Sequence, residues 1–217
     1  CIMKTEIDIP IFPLEGVIVF PGSLLPLNIF EKRYLNMIDD SLKTDARLIG
    51  IIQPLSKIKK NLTSFKNLVG CYGKIIKFEE TDKKTYLISL KGLSRFRIQT
   101  SFLTEKGYIK SRISENDFID DINNLNQDKN FKFSNSNALK TVLKSYLKTK
   151  KLSSNWDYIN STSNLDLVNQ LSMICPFSTQ EKQMLLESNS INDRYILLTS
   201  ILQNATLSNE EKTSLKH

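Results

Sequence analysis

The sequence predicts an α+β protein, in which a closed or nearly closed β-barrel with one inserted helix is followed by a small helical bundle. Three observations support this fold class. Across residues 1–115, short segments of β-branched and aromatic residues recur between turn signals, a pattern typical of small barrels. Residues 116–136 are rich in Asn, Asp, Ser and Lys, which is typical of a linker. From residue 137 onward, apolar residues recur with the 3.6-residue period of helices.

The chain opens with strand candidates that prolines separate. Three segments of this kind come first: Ile7–Phe12, Val17–Phe20 and Leu24–Phe30. Pro10 and Pro13 favour an edge or entry strand for the first segment, since proline cannot donate to a central ladder. Pro21-Gly22 is a turn signal that ends the second segment.

The period of the apolar residues changes between Glu31 and Leu42, where Tyr34, Leu35 and Ile38 fall on one helical face. This segment is the predicted inserted helix. Five further short strands complete the predicted barrel: Arg47–Ile52, Val69–Phe78, Thr85–Leu90, Phe96–Phe102 and Tyr108–Ile113. A lysine-rich loop over 55–67 and a hairpin tip over 80–84 connect some of them.

The helical period of the apolar residues predicts that residues 137–207 form the helical bundle. Its first helix carries an apolar stripe from Leu139 to Leu147. Three later helices begin at serines that an acid follows three residues on, the signature of a helix N-cap: Ser163, Ser178 and Ser190. The polar residues 208–217 predict a frayed tail.

The composition excludes membrane and secreted classes. No run approaches the roughly 20 apolar residues of a membrane span, and the first six residues lack the basic start and apolar stretch of a signal peptide. The three cysteines, Cys1, Cys71 and Cys175, are far apart and odd in number, which fits reduced thiols. We therefore expect a cytoplasmic protein without membrane contact.

The net charge of +7 lies in the first half of the chain. Residues 1–115 hold 19 Lys and Arg against 12 Asp and Glu, whereas residues 116–217 hold 11 of each. Such asymmetry can attract nucleic acid or an acidic partner. The favoured interpretation is a set of solvated lysines that protect strand edges, because no aromatic-interleaved motif accompanies them.

The residues give little support for catalysis. The single histidine is His217, the last residue, which argues against Ser-His-Asp, Cys-His and most zinc mechanisms. The sequence has no C-x-x-C pair, no P-loop and no dinucleotide-binding fingerprint. We therefore predict no enzyme activity, no cofactor and no metal site.

The densest motif spans residues 9–34. Its four prolines keep the apolar segments from pairing as one long ladder. Three large aromatic anchors lie within it: Phe12, Phe20 and Phe30. Glu31 and Arg33 follow at the change from strand to helix, where an acid suits the helix N-terminus and arginine can form a planar ion pair.

This stretch resembles the opening signature of the amino-terminal domain of Lon proteases: a Phe-Pro-Leu element, a Phe-Pro-Gly turn, then Leu-Pro-Leu-x-Ile-Phe-Glu-x-Arg-Tyr. Val69-Gly70-Cys71 is similar to the family's step into the next strand. Gly92–Ile98, which contains Arg95, matches its Gly-x-x-Arg-Phe-x-Ile element. The helical half, with Leu185-Leu186-Glu187 followed by Arg194-Tyr195, is similar to the bundle that follows the barrel in this family.

The resemblance implies a PUA-like β pseudo-barrel followed by helices. It also implies a non-catalytic module that recognises unfolded or tagged polypeptide as an accessory to a protease or chaperone. The Walker motifs and the Ser-Lys dyad of full-length Lon proteases have no counterpart in these 217 residues. PUA-like barrels include RNA binders, so RNA binding is the alternative function.

Seven residues of these motifs are candidates for a binding site: Phe12, Phe20, Phe30, Glu31, Arg33, Tyr34 and Arg95. The favoured interpretation of the phenylalanines is core packing; the alternative is an exposed rim that grips unfolded peptide. For the charged residues the favoured interpretation is a structural network that fastens the helix to the barrel. The alternative is a ligand cleft between barrel and bundle.

Overall fold

The chain is seen in a computed structural model, which describes four stretches: residues 6–54, 65–124, 133 and 136–214. These belong to two compact units, residues 1–127 and 128–217. The first unit contains a six-stranded sheet with one inserted helix, and the second is helical. The predicted α+β fold class is therefore confirmed.

The elements of the first unit follow the predicted order for most of its length. They are β1 Glu6–Pro13, β2 Leu24–Ile29, α1 Lys32–Leu42, β3 Leu48–Ile52, β4 Val69–Glu80, β5 Tyr86–Leu103 and β6 Ile109–Ser114. The strand order is β2-β5-β4-β3-β1-β6, and β6 also pairs with the C-terminal half of β5. Every pairing is antiparallel except the one between β1 and β3.

The sheet is a pseudo-barrel and not a closed barrel. Its curvature brings β6 between β1 and β5. Only three residue pairs join β1 to β3, however, and register shifts interrupt the pairing of β4 with β5 near Gly73 and Lys77. The largest side chains that are fully buried within it are Phe20 and Phe96.

Two strand predictions are corrected by the structure. Val17–Phe20 is not a strand, although Ile18, Val19 and Phe20 are buried. It crosses β5 at Gly92, where an added Cβ would overlap the Phe20 carbonyl oxygen. The segments predicted as Thr85–Leu90 and Phe96–Phe102 form the single strand β5, because Gly92 lets the chain continue beneath that crossing.

The predicted linker, residues 116–136, is partly helical. Asn116–Phe118 form a 3₁₀ turn and Ile119–Asn124 form α2. These turns are ordered because Asp121 accepts hydrogen bonds from the backbone and the side chain of Arg95 on β5. Of the predicted 55–67 loop, residues 55–64 lie outside the described stretches, and Phe65 beyond them is buried.

Five helices make up the described part of the second unit. They are α3 Ser136–Thr149, α4 Trp156–Ser161, α5 Asn164–Ile174, α6 Thr179–Glu187 and α7 Ile191–Ser214. The three predicted serine N-caps all accept from the backbone N–H three residues on. The sequence analysis missed α4, which Asn155 caps. α7 runs to Ser214, into the predicted frayed tail.

Within the described stretches, no helix combines the length and apolar character that crossing a membrane requires. The same residues contain no cluster of His, Cys, Asp and Glu that could hold a metal ion. Cys71 and Cys175 are both buried, one in each unit, and neither is in a disulfide.

Candidate functional site

An open groove of about 750 Å³ lies along β2, β5 and β4. The residues that line it come from two distant parts of the sequence, the β2 strand and the β4–β5 hairpin: Pro26, Asn28, Ile76, Phe78, Leu87 and Ser89. The register places Pro26 opposite Ser89 and Asn28 opposite Leu87, so β2 forms one side of the groove.

Several large apolar side chains of this region are exposed to solvent. Leu24 of β2 is 56% exposed, and Leu87 of β5 is 42% exposed. Ile76 is exposed because the register shift between Ile75 and Lys77 inserts it as an extra residue. Clustered apolar side chains of this kind are typical of surfaces that bind other molecules.

β2 is an edge strand, since β5 is the only described strand with which it pairs. Its second side therefore presents backbone groups that no described strand covers. Pro26 is compatible with this position because an edge strand need not donate from every residue. An extended peptide can add to such an edge through main-chain hydrogen bonds.

The tip of the β4–β5 hairpin is fastened to α1. The rings of Phe78 and Tyr86 meet edge to face with centroids 4.9 Å apart. The Tyr86 hydroxyl donates to the Asp39 carboxylate at 2.9 Å, and this hydrogen bond raises the pKa of Tyr86. The hairpin side of the groove is therefore held in place by the inserted helix.

The β2–α1 junction brings together five of the seven predicted site residues. Phe30 is 68% exposed and follows β2 two residues after Asn28 of the groove. The Arg33 guanidinium pairs with Glu31 at 2.9 Å and lies 4.6 Å from the centroid of the Tyr34 ring. That ring packs on Phe12 of β1 with centroids 4.3 Å apart, which attaches α1 to the sheet.

The structure places the other two predicted residues elsewhere. Phe20 is 0% exposed and belongs to the core. Arg95 is buried, forms two side-chain hydrogen bonds to Asp121 and lies 4.5 Å from the centroid of the Phe118 ring. Arg95 thus fastens the 116–124 turns to β5 and does not join the junction.

Sequence reasoning missed the groove residues of the hairpin. The available signal was in β4, where the adjacent apolar pair Ile75-Ile76 breaks the alternation of apolar and polar residues just before Lys77-Phe78-Glu79. All three side chains are exposed, because this end of the hairpin extends beyond the core. The segment carries apolar side chains on a surface where a solvated hairpin tip would carry polar ones.

A smaller cavity of about 290 Å³ lies between β1, α1 and β6. Asp40 accepts from the Lys106 ammonium at 2.6 Å and from the Tyr108 hydroxyl at 3.0 Å. The hydrogen bond from Lys106 is the main reason why the pKa of Asp40 is lowered. Burial, followed by the bond to Asp40, raises the pKa of Tyr108 to about 12. The cluster joins α1 to the β5–β6 turn.

We expect Asp40→Asn to lower the free energy of unfolding at neutral pH by about 1 kcal/mol or less, since the Lys106 pair is partly solvated. The folded-state pKa of Asp40 is depressed, so the carboxylate stabilises the fold above its unfolded pKa of about 3.9. That contribution is lost as the pH falls through the folded pKa. In urea unfolding, the free energies of Asp40→Asn and wild type should differ at pH 7, and this difference should become smaller at pH 3. The control Asp45→Asn should show no such difference from wild type.

Comparison with known proteins agrees with this architecture. Residues 8–204 match the family model described as the ATP-dependent protease La (LON) substrate-binding domain. The chain is similar to two solved structures, a Lon N-terminal domain protein from Xanthomonas campestris and the N-terminal domain of Mycobacterium avium complex Lon protease. The TM-scores are 0.61 and 0.60 at 18% and 16% identity. The alignments cover 89% and 93% of this chain and 98% of each neighbour.

Curated relatives are similar over part of their own length. Lon protease 2 of Sorangium cellulosum is 33% identical over 108 residues, which is 49% of this chain and 13% of that protein. Lon protease of Buchnera aphidicola subsp. Acyrthosiphon pisum is 27% identical over 206 residues, 91% of this chain and 25% of that protein. The chain thus spans a quarter or less of the length of these relatives.

Proposed function

The chain belongs to the family of Lon substrate-binding domains, and we propose that it binds non-native polypeptide segments in an extended conformation without catalysing a reaction. The observation that carries the proposal is the groove along β2, where a strand edge that no described strand covers lies beside exposed apolar side chains. Main-chain pairing to an edge is largely independent of sequence, which suits a protein that receives many different segments.

Apolar side chains in the groove and at its ends supply the second part of binding. Leu24 and Leu87 can cover large side chains of an added segment, and Phe30 extends the same surface past the end of β2. Such contacts discriminate poorly among apolar partners. Each side chain that becomes ordered on an unfolded ligand opposes binding by about 0.5–1.5 kcal/mol. We therefore expect affinities in the micromolar range or weaker.

We propose further that the bound segment is destined for proteolysis. The family and the relatives support this proposal, because the family model describes a protease's substrate-binding domain and the relatives are named Lon proteases. The partner class would be an ATP-dependent protease or a chaperone that receives unfolded or tagged chains.

The groove is tested by the double variant Leu24→Ser, Leu87→Ser. We expect the dissociation constant for a labelled, aromatic-rich unfolded peptide to rise about tenfold or more, since two apolar contacts are lost. Fluorescence anisotropy on the full chain measures the change. The matched control is Ile119→Ser on α2, whose side chain is 52% exposed and outside the groove.

Unchanged peptide affinity in the double variant would place the binding surface elsewhere. Absence of binding at hundreds of micromolar in the wild type would end the proposal. RNA binding, the alternative function, predicts a steep fall of affinity with salt, because contacts to phosphates release counterions. Apolar contacts to a neutral peptide predict a shallow salt dependence.

A further inference from the structure

We infer that the groove prefers polypeptide segments in which acidic residues alternate with large apolar ones, and that Lys74, Lys77 and Lys91 bind the carboxylates. This inference rests on the proposed function and names the substrate class of the same site. It follows from the way in which two strand pairings arrange three lysines beside the apolar surface.

The three lysines share the outer face of the sheet. Lys74 of β4 stands directly opposite Lys91 of β5, and Leu24 of β2 stands opposite Lys91 on its other side. Side chains at directly opposed positions have Cβ atoms about 4.5–5.5 Å apart. Lys77 is opposite Ser89. Ser89 and Lys91 lie on the same face of β5 because one residue separates them, so Lys77 shares that face.

These lysines are exposed, and none of them forms an ion pair with a described residue. Other cations of the first unit do have acidic partners: Arg33 with Glu31, Arg97 with Asp117, Lys106 with Asp40 and Arg112 with Asp8. Like charges placed directly across a strand pair repel each other and destabilise the sheet. The Lys74–Lys91 pair therefore has no structural benefit among the described contacts, whereas an anionic ligand would relieve its repulsion.

The surroundings of the lysines favour polypeptide as the source of the negative charge. The side chains beside the lysines in the strand register are aliphatic, namely Leu24, Ile76 and Leu87. The Phe78 ring of the groove packs edge to face against Tyr86, which leaves little flat surface on which a base could stack. The edge of β2 that no described strand covers can pair with a peptide backbone, which nucleic acid lacks. A strand added at this edge places alternate side chains on the face that carries Leu24 and Lys91.

The charged residues of the β4–β5 hairpin are also unevenly distributed between its base and its tip. Lys74 and Lys77 lie toward the base of the β4–β5 hairpin, whereas its tip carries three acids, Glu79, Glu80 and Asp82, beside Lys83 and Lys84. An acidic segment is therefore attracted more strongly to the base than to the tip. The carboxylates of a bound segment are therefore expected beside Lys74 and Lys91, close to Leu24.

The experiment compares two labelled unfolded peptides of equal length that share their large apolar residues. One carries Asp and Glu at alternate positions, and the other carries Ser and Gln there. With the full chain at low salt, we expect the acidic peptide to bind about tenfold more tightly, and the difference to shrink at moderate salt as screening increases. The double variant Lys74→Gln, Lys91→Gln should lose most of this preference, since only Lys77 of the three lysines remains, and should still bind the neutral peptide.

The matched control is Lys66→Gln, an exposed lysine before the start of β4, which should keep the preference. Thermal unfolding of the double variant should be unchanged or higher, because cross-strand repulsion is removed. Equal affinity of the wild type for both peptides, or an undiminished preference in the double variant, overturns the inference and leaves the proposed function standing. Binding of neither peptide overturns both. Tighter binding to a labelled RNA of equal charge, lost in the double variant, overturns the inference in favour of nucleic acid.

Discussion

Replacing Asp121 by alanine is expected to lower the free energy of unfolding of the first unit by about 3–5 kcal/mol, because the substitution leaves a buried guanidinium without its carboxylate. Asp121 accepts from Arg95 Nε at 2.8 Å, from Nη2 at 2.9 Å and from the Arg95 backbone N–H at 2.9 Å. A single carboxylate thus accepts hydrogen bonds from three donors of one residue. When it is removed, all three donors lose this acceptor in a largely buried site, and this loss destabilises the folded state.

The measurement has to report on the first unit specifically. The only tryptophan, Trp156, lies in the second unit, so its fluorescence does not follow this transition. Hydrogen exchange of the β5 amides in increasing urea does follow it. The matched control is Asp117→Ala, three residues from the end of β6, whose pair with Arg97 is exposed. We expect the control to change stability by less than about 1 kcal/mol. Equal effects of the two substitutions would contradict the structural role of Arg95.

Phe20→Ala and Phe30→Ala are expected to have opposite consequences although the two residues belong to one sequence motif. Phe20 is fully buried, and its truncation should lower the free energy of unfolding by about 3–5 kcal/mol through the cavity that it leaves. Phe30 is 68% exposed, and its truncation should change stability by no more than about 0.5 kcal/mol.

For peptide affinity we expect the opposite: the Phe30 substitution has the larger effect and the Phe20 substitution the smaller. Phe30→Ala should weaken binding of the aromatic-rich peptide, because it removes exposed apolar surface next to the groove. Phe20→Ala should bind normally at temperatures where it remains folded, since its side chain cannot reach a ligand. Urea unfolding and anisotropy on the same two variants separate the roles. Normal peptide affinity in Phe30→Ala would remove the β2–α1 junction from the site.

Local patterns were sufficient for most of the elements. Short apolar segments between turn signals predicted β1, β2, β3 and β6, and the change of period at Glu31 predicted α1. Serine caps fixed the starts of three helices, because a cap is an interaction between residues three positions apart. Predictions of this kind succeed when the residues that decide the structure are neighbours in the chain.

The errors arose where distant segments meet. Val17–Phe20 has the composition of a strand, but its backbone crosses β5 at Gly92 and pairs with no ladder. Residues 116–124 have the composition of a linker and become helical because Asp121 pairs with Arg95, 26 residues earlier in the chain. Composition reports local preference, and these long-range contacts override it.

The sequence by itself determined the fold class, the family and the residues of the motif at 9–34. The tertiary structure alone decided which members of that motif are exposed, because burial depends on what covers a side chain and not on its own identity. It turned Phe20 inward, at the point where its segment crosses Gly92, and left Phe30 at the surface. It also assembled the groove, since only the register of β2 on β5 and the shift within β4 bring Pro26, Ile76 and Leu87 together.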